Sequence, residues 1–308
     1  MIKRTIYIGN AAHVSLQDAQ LKLKYKDEST RSVPVEDIGL LVLDHPQLTL
    51  TQGIANALIE NNAAILWCNR QHLPHGLLLP THANHTYTEK LKAQINASEP
   101  LLKQLWKQTV QAKIRNQAAI LDHFGYNGAA LRKIASKTGS GDPENMEGRA
   151  AARYWDLLLA GNFTRGRYDG GPNNMLNYGY AVLRAITARS LVATGCLTAF
   201  GIHHKNKYNP HCLADDIMEP YRPFVDLLVF EYLMDHDDEL LNDEFMDSVS
   251  SGQKAALLQI PALDIVIREK NSPLMVGMQA TASGLMKCFE GYQRKIPYPD
   301  ISKILVKK

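Results

Sequence analysis

The hydrophobic periodicity of this chain changes once along its length, and that change constrains the fold. Before about residue 80, short apolar runs and strict alternation recur, as in Leu21-Lys22-Leu23-Lys24-Tyr25, which is typical of β-strands. Beyond about residue 95, apolar residues recur roughly every 3.6 positions, which is typical of amphipathic helices. We therefore expect an α+β protein, with a small β-rich N-terminal domain over residues 1–87 and a larger all-helical domain over residues 88–308.

The same patterns predict the individual elements. Asp142 and Pro143 predict the start of one helix, as its N-cap and its first helical residue. The polar, histidine-rich segment 81–90 is the predicted linker. The predicted strands cover residues 4–8, 21–25, 38–43, 63–68 and 76–80, and the predicted helices cover 50–60, 102–124, 143–160, 174–193, 224–234, 255–270 and 278–292.

Composition excludes some classes of protein and leaves others open. The 34 Lys and Arg residues exceed the 31 Asp and Glu residues by only three, so any nucleic-acid surface must come from local clustering. Four cysteines without a CxxC pair predict free thiols in a reducing compartment. No signal-peptide pattern or membrane-length apolar run is present, so we expect a cytoplasmic protein with no membrane partner. Nucleotide-binding glycine motifs and a nucleophile elbow are missing, which argues against nucleotide hydrolysis and acyl transfer.

Acidic residues and a histidine in three distant segments carry the strongest functional signal. Glu147 lies in Asn-Met-Glu-Gly-Arg, His204 ends Gly-Ile-His-His, and Asp216 and Glu219 lie three residues apart before a proline. Two carboxylates and an imidazole suit an octahedral divalent ion that keeps some water ligands. The set predicts metal-dependent chemistry on a phosphodiester.

Structural interpretations of the same acidic residues remain open at this point. Glu147 shares the apolar face of its predicted helix, where a carboxylate must be paired, hydrogen-bonded or bound to metal. Under the structural interpretation, Glu147 would form a buried ion pair with Arg149, Arg153 or another arginine. Arg222 follows Glu219 by three residues and would neutralise it.

The histidine segment also has two interpretations. A histidine at the junction of a helix and a loop is commonly a cap or a surface residue. The loop that follows His204 is nevertheless basic and aromatic, with Lys205, Lys207 and Tyr208. Such residues can hold phosphate and stack on a base.

A second histidine group offers a rival metal site. His72, His75, His82 and His85 fall within fourteen residues, which suggests zinc. Prolines interrupt any single helix there, and no cysteine is near. A loop that touches DNA or a neighbouring subunit is the alternative.

Taken together, the motifs resemble the CRISPR-associated adaptation integrases, the first and near-universal Cas protein family, and most closely a type II-like branch. The resemblance covers the whole length. It is carried by Lys-Ile-Arg-Asn-Gln at 113–117, Asn-Met-Glu-Gly-Arg-Ala-Ala at 145–151, Asn-Tyr-Gly-Tyr at 177–180, Gly-Ile-His-His at 201–204 and Leu-Ala-Asp-Asp-Ile-Met-Glu-Pro-Tyr-Arg-Pro at 213–223.

The resemblance implies a set of site residues. Glu147, His204 and Glu219 correspond to the three metal ligands of the family, for Mg²⁺ or Mn²⁺, and Asp216 corresponds to a supporting acid. Family members place the histidine fifteen residues before the last acid, which selects His204 over His203.

The resemblance also implies an activity and partners. Family members insert prespacer DNA into the CRISPR array by attack of a 3′-hydroxyl at the leader–repeat boundary, and endonuclease cleavage is the expected side reaction. They dimerise through the β-rich domain, and a small dimeric Cas partner bridges two dimers into a heterohexamer. Type II systems add further adaptation proteins and the effector nuclease. The expected contacts to double-stranded DNA are Arg149, Arg153, Lys205, Lys207 and Arg222. The rival hypothesis is a non-catalytic DNA-binding scaffold with a structural acid cluster.

Overall fold

The computed structural model describes residues 3–81, 84–158, 172–236 and 249–305. Eight strands and one helix form the N-terminal part of the molecule. They are β1 (Arg4–Ile8), β2 (Ala12–Gln17), β3 (Gln20–Tyr25), β4 (Thr30–Pro34), β5 (Ile38–Leu43), β6 (Thr49–Leu50), α1 (Gln52–Glu60), β7 (Ala64–Cys68) and β8 (Pro74–Leu78).

The first sheet joins the N-terminal part to the rest of the molecule. Its strand order is β1-β5-β7-β8, with β1, β5 and β7 parallel and β8 antiparallel to β7. Leu41 and Leu43 pack in the core of the N-terminal part, whereas Leu40 and Val42 pack in the core that the helices build. Strand β5 is therefore buried on both faces, which explains its continuous apolar run.

The second sheet has one solvated face. Its order is β4-β3-β2-β6, and β3 pairs antiparallel with both β2 and β4. Leu21 and Leu23 of β3 are buried, while Lys24 on the opposite face is exposed. This arrangement confirms the half-exposed strand that the alternation predicts.

The remainder of the chain is mainly helical, and the α+β fold class is confirmed. The boundary between domains at residues 87 and 88 stays a prediction, although β8 ends at Leu78 and α2 begins at Tyr87. The helices are α2 (Tyr87–Ile95), α3 (Glu99–His123), α4 (Ala129–Lys137), α5 (Met146–Leu158), α6 (Pro172–Thr194), α7 (Cys212–Met218), α8 (Arg222–Asp235), α9 (Ser251–Leu257), α10 (Leu274–Phe289) and α11 (Ser302–Leu305), with 3₁₀ turns at Val35–Asp37, Glu219–Tyr221 and Ile260–Ala262.

The start of α5 differs from the sequence prediction. The helix begins at Met146 and not at Pro143. Asp142 still caps it, because its carboxylate accepts hydrogen bonds from the backbone N–H groups of Met146 (2.8 Å) and Glu147 (3.0 Å). Asp142 and Asn145 both have positive φ, so a turn precedes the helix where the sequence suggested regular helix.

The predicted helix over residues 255–270 is wrong. Helix α9 stops at Leu257, and a two-stranded antiparallel hairpin follows, with β9 (Asp264–Ile267) and β10 (Lys270–Pro273). Arg268 and Glu269 at its turn both have positive φ, as a tight hairpin turn requires. The apolar run of β9 is β-branched, which favours a strand, but its turn lacks the usual asparagine or glycine signal.

Two further expectations concern membranes and thiols. Across the described parts of the chain, no helix combines the length and the apolar character that crossing a bilayer requires. Cys68, Cys196, Cys212 and Cys288 are all free thiols, as predicted.

A buried ion pair connects the first sheet to the helices. Asp44 directly follows β5, and its carboxylate accepts hydrogen bonds from the Tyr7 hydroxyl (2.6 Å) and from the Lys254 ammonium of α9 (3.0 Å). His72 Nδ1 lies 2.8 Å from the other oxygen. The side chains of Asp44 and Lys254 are only 1% and 10% exposed, so each charge depends on the other.

The environment of Asp44 sets the sign of its pH dependence. Burial alone raises the pKa of this carboxyl, but Tyr7, Lys254 and His72 together outweigh burial and lower it. A carboxyl whose pKa is lower in the folded state stabilises the fold above the pKa of the unfolded chain. That stabilisation is lost as the pH falls through the folded pKa.

We predict that Lys254→Met destabilises the protein by about 3–5 kcal/mol at neutral pH, because it leaves the Asp44 charge buried without its main partner. Thermal unfolding followed by circular dichroism measures the effect. Lys303→Met is the control, since Lys303 pairs with Glu269 at the surface, and we expect a loss of about 1 kcal/mol or less. Equal losses in the two variants would contradict the role of the buried pair.

Candidate functional site

Four separate elements of the chain bring the candidate residues together. Glu147 lies in the first turn of α5, and Glu219 opens the 3₁₀ turn between α7 and α8. His204 lies in the loop between α6 and α7, and α3 contributes Lys113. The site is therefore formed by tertiary packing, with its carboxylates held on helical backbone rather than on long loops.

The Lys113 ammonium lies between the two carboxylates. Its Nζ is 2.7 Å from Glu147 Oε1 and 2.6 Å from Glu219 Oε2. The three side chains are 12%, 19% and 7% exposed, respectively. Only the contact to Glu147 has hydrogen-bond geometry, and Glu219 Oε2 is buried without a hydrogen-bond partner. Two acidic side chains that are distant in sequence thus converge on one cation.

A second cation, Arg222, holds the other oxygen of Glu219. Arg222 Nε lies 3.0 Å from Glu219 Oε1, and the guanidinium stacks over the Tyr180 ring at 4.6 Å. The Tyr180 hydroxyl donates a hydrogen bond to Asp226, which also accepts one from Tyr154 of α5 at 3.2 Å. Helices α5, α6 and α8 are therefore tied together behind the site, and Arg222 is directed toward Glu219.

The surrounding charges decide the ionisation of the paired groups. Burial raises the pKa of Glu219, but Arg222 and Lys113 outweigh it, and the net pKa is below that of an ordinary carboxyl. Burial lowers the pKa of Lys113, and the attraction of Glu219 and Glu147 more than reverses this, so its net pKa is raised. The net effect of these charges is to favour an ionised Glu219 and a charged Lys113.

His204 is oriented by Asp216. His204 Nδ1 lies 2.5 Å from Asp216 Oδ1, and this carboxylate also accepts the backbone N–H groups of His203 (2.9 Å) and His204 (3.3 Å). The hydrogen bond that His204 donates to Asp216 is the main cause of the raised pKa of His204. Gly201 allows this approach, because a Cβ there would lie 2.6 Å from Asp216 Oδ2. With Nδ1 engaged, Nε2 is the ring nitrogen left to act as a ligand.

His203 has a different environment from its neighbour. Its ring stacks on the Trp106 ring of α3, with a centroid distance of 4.2 Å and parallel planes. Burial is the main cause of its lowered pKa, followed by the proximity of His204. The choice of His204 as the ligand stays a prediction, and the contact with Asp216 is what supports it.

The donor set fits a divalent ion, but the side chains are not yet gathered around one. Among the residues that the structure describes, no three His, Cys, Asp or Glu side chains are close enough to hold an ion as they stand. This holds for Glu147, His204 and Glu219 too, and the Lys113 ammonium lies between the two carboxylates. Glu219 Oε2 faces Lys113 without accepting a hydrogen bond, and Asp216 fixes the His204 imidazole. They are nevertheless the oxygen and nitrogen donors that Mg²⁺ or Mn²⁺ would use.

The alternative zinc group of histidines is not formed in the described part of the chain. His72 Nδ1 contacts Asp44, and neither His75 nor His85 joins it in a metal-binding group. His82 lies outside the described residues. The prolines that separate these histidines place them on different local structures, which explains why sequence proximity did not gather them.

A basic groove lies beside α5. Its volume is about 270 Å³, and it contains the predicted DNA contacts Arg149 and Arg153 together with one carboxylate, Glu144. Arg149 Nη1 is 4.0 Å from that carboxylate. The full lining is Ala130, Lys133, Ile134, Lys137, Glu144, Met146, Arg149 and Arg153. Lys133 and Lys137 of α4 were missed by the sequence interpretation.

The loop after His204 displays its side chains to solvent. Tyr208 is 81% exposed, and Lys207 Nζ lies 4.8 Å from its ring centroid. Lys205 is exposed as well. The backbone N–H of Tyr208 donates to Asn206 Oδ1 at 2.9 Å, so this part of the loop has a defined turn. Sequence interpretation identified these residues, and their role in binding stays a prediction.

Lys113 is the main residue that sequence interpretation of the site missed. It lies seven residues after Trp106 and three after Val110, so it shares the buried face of α3 with them. A lysine on an apolar face requires a buried partner, and that signal was available in the sequence. Its partners were not, because Glu147 and Glu219 reach it only through the packing of α5 and the 3₁₀ turn.

Comparison with known proteins identifies the family to which these residues belong. The family model of CRISPR associated protein Cas1 matches residues 6–267. The CRISPR-associated endonuclease Cas1 of Neisseria meningitidis serogroup C (strain 8013) is 43% identical over 231 residues, which covers 74% of this chain and 75% of the relative.

Two solved structures share the fold. A casposase bound to integration product has a TM-score of 0.79 at 18% identity, covering 98% of this chain and 94% of its own. A chain of a Cas6-RT-Cas1–Cas2 complex has a TM-score of 0.73 at 19% identity, covering 96% of this chain and 36% of its own.

Proposed function

This chain belongs to the Cas1 family, and from that premise we propose that it is a metal-dependent DNA endonuclease and integrase that inserts prespacer DNA into a CRISPR array. The observation that carries the proposal is the convergence of Glu147 and Glu219 on one cation, beside a histidine oriented by Asp216. The name of the Neisseria relative, an endonuclease, and the integration product bound by the casposase support it.

The residues of this chain have distinct proposed roles. Glu147, Glu219 and His204 Nε2 would hold Mg²⁺ or Mn²⁺, and Asp216 would keep the imidazole in the orientation that leaves Nε2 available. When bound, the ion supplies positive charge next to the scissile phosphate and the leaving oxygen. Arg222 neutralises part of the charge of Glu219 and so keeps this buried carboxylate ionised.

The proposed reaction is a transesterification. The 3′-hydroxyl oxygen of a prespacer forms a bond to phosphorus at the leader–repeat boundary and loses its proton. The bond from that phosphorus to the leader 3′-oxygen breaks, and this oxygen leaves and takes up a proton. With water in place of the 3′-hydroxyl, the same site would nick DNA, which accounts for both activities.

Binding of double-stranded DNA is proposed to depend on phosphate contacts. Four cationic side chains line the groove of α4 and α5 against one carboxylate, so its local charge favours a polyanion. Arg149 and Arg153 of this groove lie on α5, the helix that also carries Glu147. Lys205 and Lys207, exposed in the loop directly after His204, are the further proposed phosphate contacts.

Assembly is proposed to follow the family. Apolar side chains at the surface of the N-terminal part support a homodimer there, namely Tyr7, Leu16, Trp67 and Leu73, which are each 36–40% exposed. The solved complex named for Cas1 and Cas2 supports a Cas2 partner. The small dimeric form of that partner and its assembly with two Cas1 dimers into a heterohexamer belong to the proposal. Further type II-like adaptation proteins and the effector nuclease belong to the same proposal, as does the type II-like assignment.

A non-catalytic DNA-binding scaffold is the second candidate. It is favoured by the ion pairs of Glu219 with Arg222 and of both carboxylates with Lys113. Such pairs are also what a purely structural acid cluster would show. The two candidates differ in whether a divalent ion is required for DNA cleavage.

We predict that Glu219→Gln, Glu147→Gln and His204→Ala each reduce strand transfer and plasmid nicking by about 100-fold or more. Mutation of a residue that hydrogen-bonds to a metal ligand typically lowers metal affinity or activity by about 10–100-fold. Removal of a ligand itself should lower activity by about 100-fold or more. The measurement is transfer of labelled prespacer into a repeat plasmid, with Mg²⁺, with Mn²⁺ and with EDTA. DNA binding, followed in parallel, should persist.

His203→Ala is the control for these variants, since His203 stacks on Trp106 and should leave more activity than His204→Ala. Activity that survives both EDTA and the two glutamate substitutions would support the scaffold instead. Loss of transfer in His203→Ala with retention in His204→Ala would reverse the ligand assignment.

We predict that Lys133→Gln combined with Lys137→Gln weakens DNA binding. The slope of log affinity against log salt is negative, and its magnitude should fall by about 1.8, since each phosphate contact contributes about 0.9. Fluorescence anisotropy with a labelled duplex measures the slope. The matched control is Lys22→Gln with Arg31→Gln, which removes the same charge from a polar groove of about 280 Å³ on the second sheet. Equal changes in the two pairs would show a general charge effect rather than a site.

A further inference from the structure

We propose that Lys113 is a built-in counter-cation of the metal centre, which holds Glu147 and Glu219 in place and is displaced when a divalent ion binds. The inference rests on the proposed function, because it concerns the same site. It goes beyond that function in assigning Lys113 a positioning role and in making metal binding an exchange of cations. Lys113 is not placed among the ligands or the reacting groups.

The contacts of Lys113 are those that such an exchange requires. Its ammonium lies 2.6–2.7 Å from one oxygen of each carboxylate. The oxygen ligands of divalent ions lie about 2.0–2.6 Å from the metal, so replacement of the ammonium by an ion calls for only a small movement of the carboxylates. The two glutamates therefore already have a separation that suits a shared cation.

Charge balance gives Lys113 its function in the metal-free protein. Glu147 and Glu219 bring two negative charges into a largely buried space, and Lys113 and Arg222 bring two positive charges. Without Lys113, the two carboxylates would face each other, and Arg222 would remain in contact with Glu219. Like charges at that distance repel each other. Lys113 offsets this repulsion and holds the two side chains together.

The two cations differ in how firmly they are held. Arg222 lies over the Tyr180 ring, and Tyr180 is hydrogen-bonded to the buried Asp226. The contact of Lys113 with Glu219 Oε2 and that of Arg222 Nε with Glu219 Oε1 both lack hydrogen-bond geometry. The difference is that Lys113 carries its charge on a flexible four-carbon stem, whereas the planar guanidinium of Arg222 is stacked on a ring. An incoming ion would therefore displace the ammonium of Lys113 and leave the guanidinium of Arg222 in place.

If a divalent ion must displace Lys113 to bind, removal of Lys113 should change the affinity of the protein for that ion. A protein whose binding-competent arrangement is a minor fraction has an apparent affinity reduced by that fraction. If Lys113 blocks about nine-tenths of the metal-free molecules, its removal tightens binding about tenfold. An ordinary structural lysine would have no such effect on metal affinity.

The chain supplies a matched control in Lys254. Its side chain is 10% exposed and pairs with the buried Asp44 at 3.0 Å, away from the site. Lys113 is 12% exposed and pairs at 2.7 Å with Glu147. Both substitutions to methionine remove one buried ammonium, but only one of them removes it from between the proposed ligands.

The experiment measures binding of Mn²⁺ alone by electron paramagnetic resonance of the free ion. The samples are the wild type, Lys113→Met and Lys254→Met, all verified as folded by near-ultraviolet circular dichroism. We expect Lys113→Met to bind Mn²⁺ about tenfold more tightly than the wild type, and Lys254→Met to match the wild type. If the wild type binds Mn²⁺ and Lys113→Met binds it no more tightly, the exchange is wrong while the proposed function stands. If the wild type does not bind Mn²⁺, both fail.

A second measurement uses only the wild type and does not depend on a variant folding. Acetylation of lysines, quantified by mass spectrometry with and without Mg²⁺, reports the state of each ammonium. Release from its carboxylates should raise the reactivity of Lys113 when Mg²⁺ is present, and Lys254 should stay protected. Equal protection of Lys113 in both conditions, at Mg²⁺ concentrations that support nicking, would overturn the exchange.

Discussion

The attraction between one buried ammonium and two carboxylates is the interaction on which the candidate site depends. Lys113 of α3 holds Glu147 of α5 and Glu219 of the 3₁₀ turn, so three elements that are distant in sequence are held at one point. Buried charges are tolerated only when they are paired, and Lys113 pairs with both carboxylates while Arg222 adds a second cation at Glu219. The same requirement explains why Arg222 faces inward, even though an arginine at a DNA-binding surface would ordinarily face solvent.

Hydrogen bonds of the surrounding residues hold the candidate site in position. Behind the carboxylates, Tyr154 and Tyr180 meet at Asp226 and tie α5, α6 and α8 to one another. Beside them, Asp216 fixes His204 through its ring nitrogen and its backbone. Reactive groups held by such secondary contacts keep their geometry without help from the substrate. The cationic groove of α4 and α5 shares helix α5 with Glu147, which suits the proposed function, in which affinity comes from phosphates and chemistry from a few side chains.

Much of the architecture was readable from the sequence, because periodicity reports local burial. The change from alternation to helical spacing predicted the α+β class and most elements, including α3, α6 and α8. The hairpin of β9 and β10 was missed because its turn residues, Arg268 and Glu269, are not typical of tight turns. The candidate ligands were found by residue type and family resemblance, whereas Lys113 was not, because its partners are set by tertiary packing. The pairing of Arg222 with Glu219 was predicted, because the two residues are only three apart in sequence.

A crystal structure of the protein soaked in Mn²⁺, with anomalous scattering recorded at the manganese edge, shows directly whether a divalent ion replaces Lys113 between the carboxylates. We expect one strong anomalous peak in contact with Glu147, Glu219 and His204 Nε2. We also expect Lys113 Nζ to have moved out of the space between the carboxylates, while Arg222 remains on Glu219. A peak at another place, or the absence of any peak with Lys113 still bridging both carboxylates, would contradict this replacement.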